Sequence, residues 1–166
     1  MLFRSLTLFG FSGVARLDVL SGFPTGRVLV TSRTYTVRED GSTYGMLVPP
    51  LGVAQTATAG ETLEILGPTG APSLRTDLSL LNEGAPAIVH VQILDDQGSL
   101  LDSFDQAIPA GIGLQVNDLF RARGLGDGPK AALIRLSPSG GILAAYATTI
   151  DNATNDPVYF AGNLAP

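Results

Sequence analysis

The chain has 166 residues and a net charge of −5, with 45% of its residues apolar and 15% charged. That is enough apolar matter for a packed core, and the acidic balance argues against nucleic acid and anionic membrane surfaces, which need a basic patch. Cysteine is absent, which removes disulfides, thiolate metal sites and a cysteine nucleophile together.

Taken in order, residues 1–15 carry a basic start at Arg4 and an apolar run from Leu6 to Val14. Gly10 and Gly13 interrupt that run and no small-residue cleavage site follows, so it reads better as the interior of an earlier β-module than as a signal peptide. Met1 to Ser5 then read as a ragged or non-native start. No apolar run approaches the roughly 18 residues that a membrane-spanning helix needs, so no membrane insertion is expected.

Residues 17–20 and 28–37 read as strands around a Pro/Gly turn, dense in the β-branched residues that suit a pleated surface. Asp40-Gly41 marks a hairpin turn, 43–48 a short strand, 50–60 a connection and 61–66 a further strand. From there the pattern sharpens. Residues 73–81 set Leu74, Thr76, Leu78 and Leu80 against Arg75, Asp77 and Ser79 at period two. After a turn at 82–86, residues 87–94 point Ala87, Val89, Val91 and Ile93 inward and Ile88, His90 and Gln92 outward. Strands at 100–108 (core residues Leu100, Phe104 and Ile108) and 114–116 follow. Asn117 is expected to cap one helical turn over 118–123, with Leu119 and Phe120 plugging an end of the core. Strands at 131–136, 142–150 and 158–160 complete the chain. About eight short strands at this spacing, without a long amphipathic helix, predict an all-β antiparallel β-sandwich.

Residues 141–160 are echoed at 26–45, at an offset of 115 residues, with Gly26/Gly141, Thr34/Thr149 and Tyr44/Tyr159 identical. Upstream, with a one-residue gap, Ala15, Leu17, Leu20 and Ser21 match Ala131, Leu133, Leu136 and Ser137, and Leu8-Phe9 stand where Leu119-Phe120 do. A repeat of that length is a domain, not a solenoid unit. The expected organisation is the C-terminal part of a truncated module over 1–49, a connection over 50–60 and a complete sandwich over 61–166. The partial module should lean on the complete one, or be partly exposed.

The runs L-R-T-D-L-S-L-L-N (residues 74–82), L-Q-V-N-D-L-F (114–120) and L-A-A-Y-A-T-T-I-D-N-A-T-N-D-P (143–157), with T-S-R-T-Y at 31–35, resemble tandem immunoglobulin-like β-sandwich modules of secreted or surface proteins of environmental bacteria. The resemblance covers most of the chain. It departs at Leu74, where an aromatic would be expected, and at Asp77, where Asn would be. It implies an accessory module, extracellular or at the cell surface, that contacts neighbouring domains of its own polypeptide. It carries over no catalytic residue.

The residues offer little chemistry. His90 is the single histidine and falls on an outward strand face, and no G-x-S-x-G elbow is present, so it reads as an exposed strand residue. Residues 124–130 contain three glycines and Lys130 but lack the spacing of a phosphate loop. Carboxylates and amides at Asp151, Asn152, Asn155 and Asp156 form a calcium candidate, with Asp95-Asp96 a weaker one, although Asp and Asn are also the usual turn residues. Tyr35, Tyr44, Tyr146 and Tyr159 are the only tyrosines available as a carbohydrate platform; the match of Tyr44 to Tyr159 favours a structural role. The expectation is a non-enzymatic structural spacer or interaction unit without a cofactor. A glycan- or cell-wall-binding module, calcium-assisted in one form, is the second reading, and a viral capsid or fibre component the third.

Overall fold

Alternation of apolar with polar residues, and Gly, Pro, Asp and Asn between the runs, cut this chain into short strands. The computed structural model describes residues 32–37 and 39–166. The strand expected at 17–20, the first part of that at 28–37, and the matches of 8–9 and 15–21 to later residues lie outside the described residues. The elements are β1 (Ser32–Val37), β2 (Thr43–Val48), a 3-10 turn (Val53–Gln55), β3 (Thr56–Ala57), β4 (Leu63–Leu66), β5 (Leu74–Glu83), β6 (Ala87–Leu94), β7 (Leu100–Ile108), β8 (Gly113–Val116), the one-turn helix α1 (Leu119–Ala122), β9 (Leu133–Pro138), β10 (Ile142–Asp151) and β11 (Pro157–Leu164).

β1 and β2 pair with each other as a hairpin. The other strands form one mostly antiparallel sheet in the order β7-β6-β9-β4-β11-β10-β5-β8, with β3 added beside β10. This sheet curls into a nearly closed barrel, rather than the two separate sheets of the expected sandwich. The reason lies in β11. Its first part pairs with β10, Tyr146 opposite Ala161, and its last part with β4, Gly162 opposite Ile65. One strand thus joins what would otherwise be two sheets. Gly162 makes the crossing sterically feasible: a Cβ there would lie 2.7 Å from the Ala145 carbonyl oxygen.

The barrel stays open between the edges β7 and β8. α1 follows β8 and packs against β5, with Leu119 and Phe120 at 0% and 2% exposure. Arg123, just past the helix, reaches across to β7. Its Nε donates to Asp102 Oδ2 at 2.6 Å and its guanidinium sits 4.3 Å from the Phe104 ring centroid. The core behind the seam is built from Leu63, Ile65, Leu78, Leu80, Val89, Val91, Ile93, Ile134, Leu136 and Leu143, all buried. β6 alternates as its sequence indicates, with Ile88 and His90 exposed between buried neighbours.

Several local expectations change. Leu100 is 55% exposed rather than in the core, because the β6–β7 ladder shifts register between Ile93 and Leu94, passing over Leu101, and takes Leu100 out of the inward alternation of Asp102, Phe104, Gln106 and Ile108. β5 is buried on both faces. Its outward Asp77 accepts the Asp118 N–H at 2.8 Å and the Gln115 amide at 3.3 Å, so β8 and the start of α1 fold over it. The residue at the helix start is Asp118, in the left-handed region and without a side-chain cap bond; Asn117 instead accepts a hydrogen bond from Gln115. The stretch 50–60 carries β3, whose Ala57 is fully buried against β10. Both segments of the sequence echo form hairpins, β1–β2 and β10–β11, but in different registers: Tyr44 lies opposite Thr36 and Tyr159 opposite Thr148. The first hairpin leans on the second, the Thr148 hydroxyl lying 3.9 Å from Met46 Sδ.

Candidate functional site

The calcium candidates share the β10–β11 turn. Asp151 Oδ1 accepts the N–H groups of Ala153 at 2.7 Å and Thr154 at 3.1 Å. The Asn155 N–H closes the turn on the Asp151 carbonyl, and the Asp151 N–H donates to the Asp156 carbonyl. Asn155 takes a left-handed backbone, φ 60°, as Asn tolerates. The Asn152 side-chain oxygen accepts from Arg75 Nη1 at 2.5 Å. The four residues are therefore brought together, with oxygens of Asp151 and Asn152 already engaged by the protein's own donors. Asp95 works in the same way, its Oδ1 accepting the Gln97 and Ser99 amides. Among the described residues, no group of three or more His, Asp or Glu converges as a metal site would require.

The loop 124–130 directs its amides inward. Gly124, Leu125 and Gly128 donate to the carbonyls of Arg121, Phe120 and Leu125, which leaves these three N–H groups unable to cradle a phosphate. Tyr146 and Tyr159 stack at 5.1 Å near the β1–β2 hairpin. The Tyr159 hydroxyl is buried and has no hydrogen-bond partner among the described residues. Burial first, then the neighbouring Tyr146, push this phenol up to about 12.

The most organised set of polar side chains lies elsewhere, on the outward face of β4, β9, β6 and β7. Strand register aligns them in two rows. Glu64, Arg135, Gln92 and Ser103 form one row by direct cross-strand pairing. Ser137, His90 and Asp105 form the next, extended by Thr62, whose hydroxyl is 2.9 Å from that of Ser137. Neighbouring strands stand about 4.8 Å apart and successive outward residues about 6.7 Å apart, so the rows make a grid. Arg135 Nε donates to Glu64 Oε1 at 2.7 Å, and His90 Nδ1 lies 2.7 Å from Asp105 Oδ1. Thr62, Glu64, Gln92, Arg135, Ser137, Ala165 and Pro166 line an open depression of about 470 Å³ on this face.

The order Asp105–His90–Ser137 has the residue types of a hydrolytic triad. Its setting differs in two respects. The Ser137 hydroxyl is engaged with Thr62. β9 lies between β4 and β6, so its amides are spent on the ladders rather than aimed at a developing oxyanion. His90 itself stands where its sequence position indicates, exposed on the outward face of β6. Sequence reasoning missed the grid as a unit. The alternations His90-x-Gln92 and Arg135-x-Ser137 were visible, but which strands lie side by side was not.

No helix of the described residues is long and apolar enough to cross a membrane. No protein-family model matches the chain, and no curated protein or solved structure matches it significantly.

Proposed function

We propose that the chain is a non-enzymatic extracellular module with an immunoglobulin-like, sandwich-derived barrel, serving as a structural spacer or interaction unit of a larger secreted or surface protein. In this reading the β1–β2 hairpin belongs to the end of a preceding module and residues 61–166 form the complete one. The observation that carries the proposal is the way the turns are pinned: Asp95, Asp151 and Asn82 each tie a turn with side-chain hydrogen bonds over a buried core. On this proposal, turns so pinned to a rigid scaffold are the surfaces that would meet a neighbouring domain.

Backbone relaxation measured by NMR tests it. Order parameters near 0.85 through residues 95–99 and 151–156 are expected, and values below about 0.6 would remove the rigid-spacer argument. A hydrolytic rate abolished by His90→Ala would overturn the non-enzymatic reading. Calcium at Asp151, Asn152, Asn155 and Asp156 would have to share Asp151 Oδ1 with the Ala153 and Thr154 amides and Asn152 Oδ1 with Arg75. A melting midpoint raised by calcium and restored by chelation would establish that ion, and an unchanged midpoint would leave the turn structural. The second reading, a glycan-binding accessory module, is favoured by one observation, the two-row polar grid on the β4–β9–β6–β7 face.

A further inference from the structure

The geometry points to the outward face of β4, β9 and β6, centred on Arg135 and Gln92, as a binding site for a neutral saccharide; this rests on the second reading above and moves its site from the loops to the sheet. Several hydrogen-bonding groups on this face remain free. Arg135 spends only its Nε on Glu64. Among the described residues, its two Nη groups and the Gln92 side-chain amide have no protein partner. Both border the depression, together with the Thr62 and Ser137 hydroxyls and the Glu64 carboxylate.

These groups are a mixture of donors and acceptors within one small area. Arg135 offers donors only, Glu64 acceptors only, and Gln92, Thr62 and Ser137 offer both. A ligand that satisfies such a set must itself present donors and acceptors side by side, as the hydroxyls of a sugar ring do. Charge points the same way. The guanidinium and the Glu64 carboxylate offset each other locally, and the chain as a whole carries −5, so an anionic ligand gains little here. A cation would meet Arg135 directly. Beside the depression the face is exposed at His90 and Asp105, so a linear oligosaccharide can extend from it along the row Ser137–His90–Asp105. Exposed Leu66 and Ile88, at 67% and 52%, lie on the outward faces of β4 and β6, in reach of the apolar C–H faces of sugar rings.

The test is an amide chemical-shift titration of the whole chain. The probes are neutral hexasaccharides of β-1,3-linked glucose, β-1,4-linked glucose and β-1,4-linked mannose, with a galacturonate hexamer as the anionic control. Each is taken to about 10 mM, enough to register a Kd near 1 mM. The expected result is saturable shifts at Thr62, Glu64, Gln92, Arg135 and Ser137 with at least one neutral probe. Affinity should fall at least about fivefold in Gln92→Ala, which leaves the Arg135–Glu64 pair intact, and further in Arg135→Ala. Shifts confined to residues 95–99 or 151–156 would overturn the sheet-face site while sparing the glycan-binding reading. No shift with any neutral probe would overturn both. Preference for the galacturonate control would overturn the neutral-ligand argument.

Discussion

Asn82 shows how much one polar side chain can organise. It is fully buried at the end of β5. Its amide nitrogen donates to Ala85 at 2.9 Å and is shared between Ile108 and Pro109 at 3.2 Å each. Its backbone N–H and C=O reach Ile112 and Gly111. Two turns, β5–β6 and β7–β8, are thereby tied to one residue. Its Oδ1 has no conventional donor and faces the backbone of Gly141, where a Cβ would lie only 2.0 Å away. Asn82→Ala would leave buried carbonyls without partners, at a cost of about 2–3 kcal/mol in urea-unfolding free energy. The sequence marks Asn82 only as the start of a turn, because its partners at 108 and 109 are too distant along the chain to be read from local pattern. Tyr159 gives a second prediction. Its phenol is raised to about 12, chiefly by burial, above the ordinary value near 10. The neutral form is therefore favoured by folding. That contribution is complete below about pH 10 and is lost as pH rises towards about 12. In a spectrophotometric titration Tyr159→Phe should remove an ionisation step near pH 12.

Among the elements, the short α1 and the edge strand β7 carry the most consequence. Arg123 after α1 clamps β7 through Asp102 and Phe104. The hydrogen bond from Arg123 lowers the Asp102 pKa, against a smaller opposing effect of desolvation. A depressed carboxylate contributes stability that is present above its unfolded value, near pH 4, and is lost as pH falls through the folded value. Arg123→Ala should therefore flatten the acid limb of a stability-versus-pH curve. It should also speed amide exchange along β7 more than along β6. An unchanged acid limb would show that the pair is not coupled to folding. That α1 would plug the core was legible from Leu119-Phe120 after a polar cap candidate. That it would hold a seam shut was not, because nothing in residues 100–108 says that β7 has only one neighbour. The register shift opposite Ile93 and Leu94 explains Leu100, an apolar residue left in solvent.

At the scale of the molecule, strand positions were readable because alternation and turn residues are local signals: β2, β6 and β7 fall where the pattern places them. Closure was not readable. It depends on β11 being long enough to serve two neighbours, and the sequence from 157 to 164 shows this only as a moderately apolar run ending beyond Phe160. The polar grid shares that fate, since it exists only once β4, β9, β6 and β7 lie in order. The architecture predicts uneven protection from hydrogen exchange. β5 and β10 pair over ten residues, each with a further strand on its other side, and should exchange only through global unfolding. β1 and β2 make a two-stranded sheet, marginal alone, and should exchange sooner. Equal protection of both would mean that the hairpin is part of the same cooperative unit.

The position of β11 between β10 and β4 has a mechanical consequence. Tension applied along β11 loads the hydrogen bonds to both neighbours in parallel, as shear, instead of opening them one after another. The strand that closes the barrel is thus also the strand best placed to bear load, and a single abrupt rupture, rather than gradual peeling, is the force response this connectivity dictates.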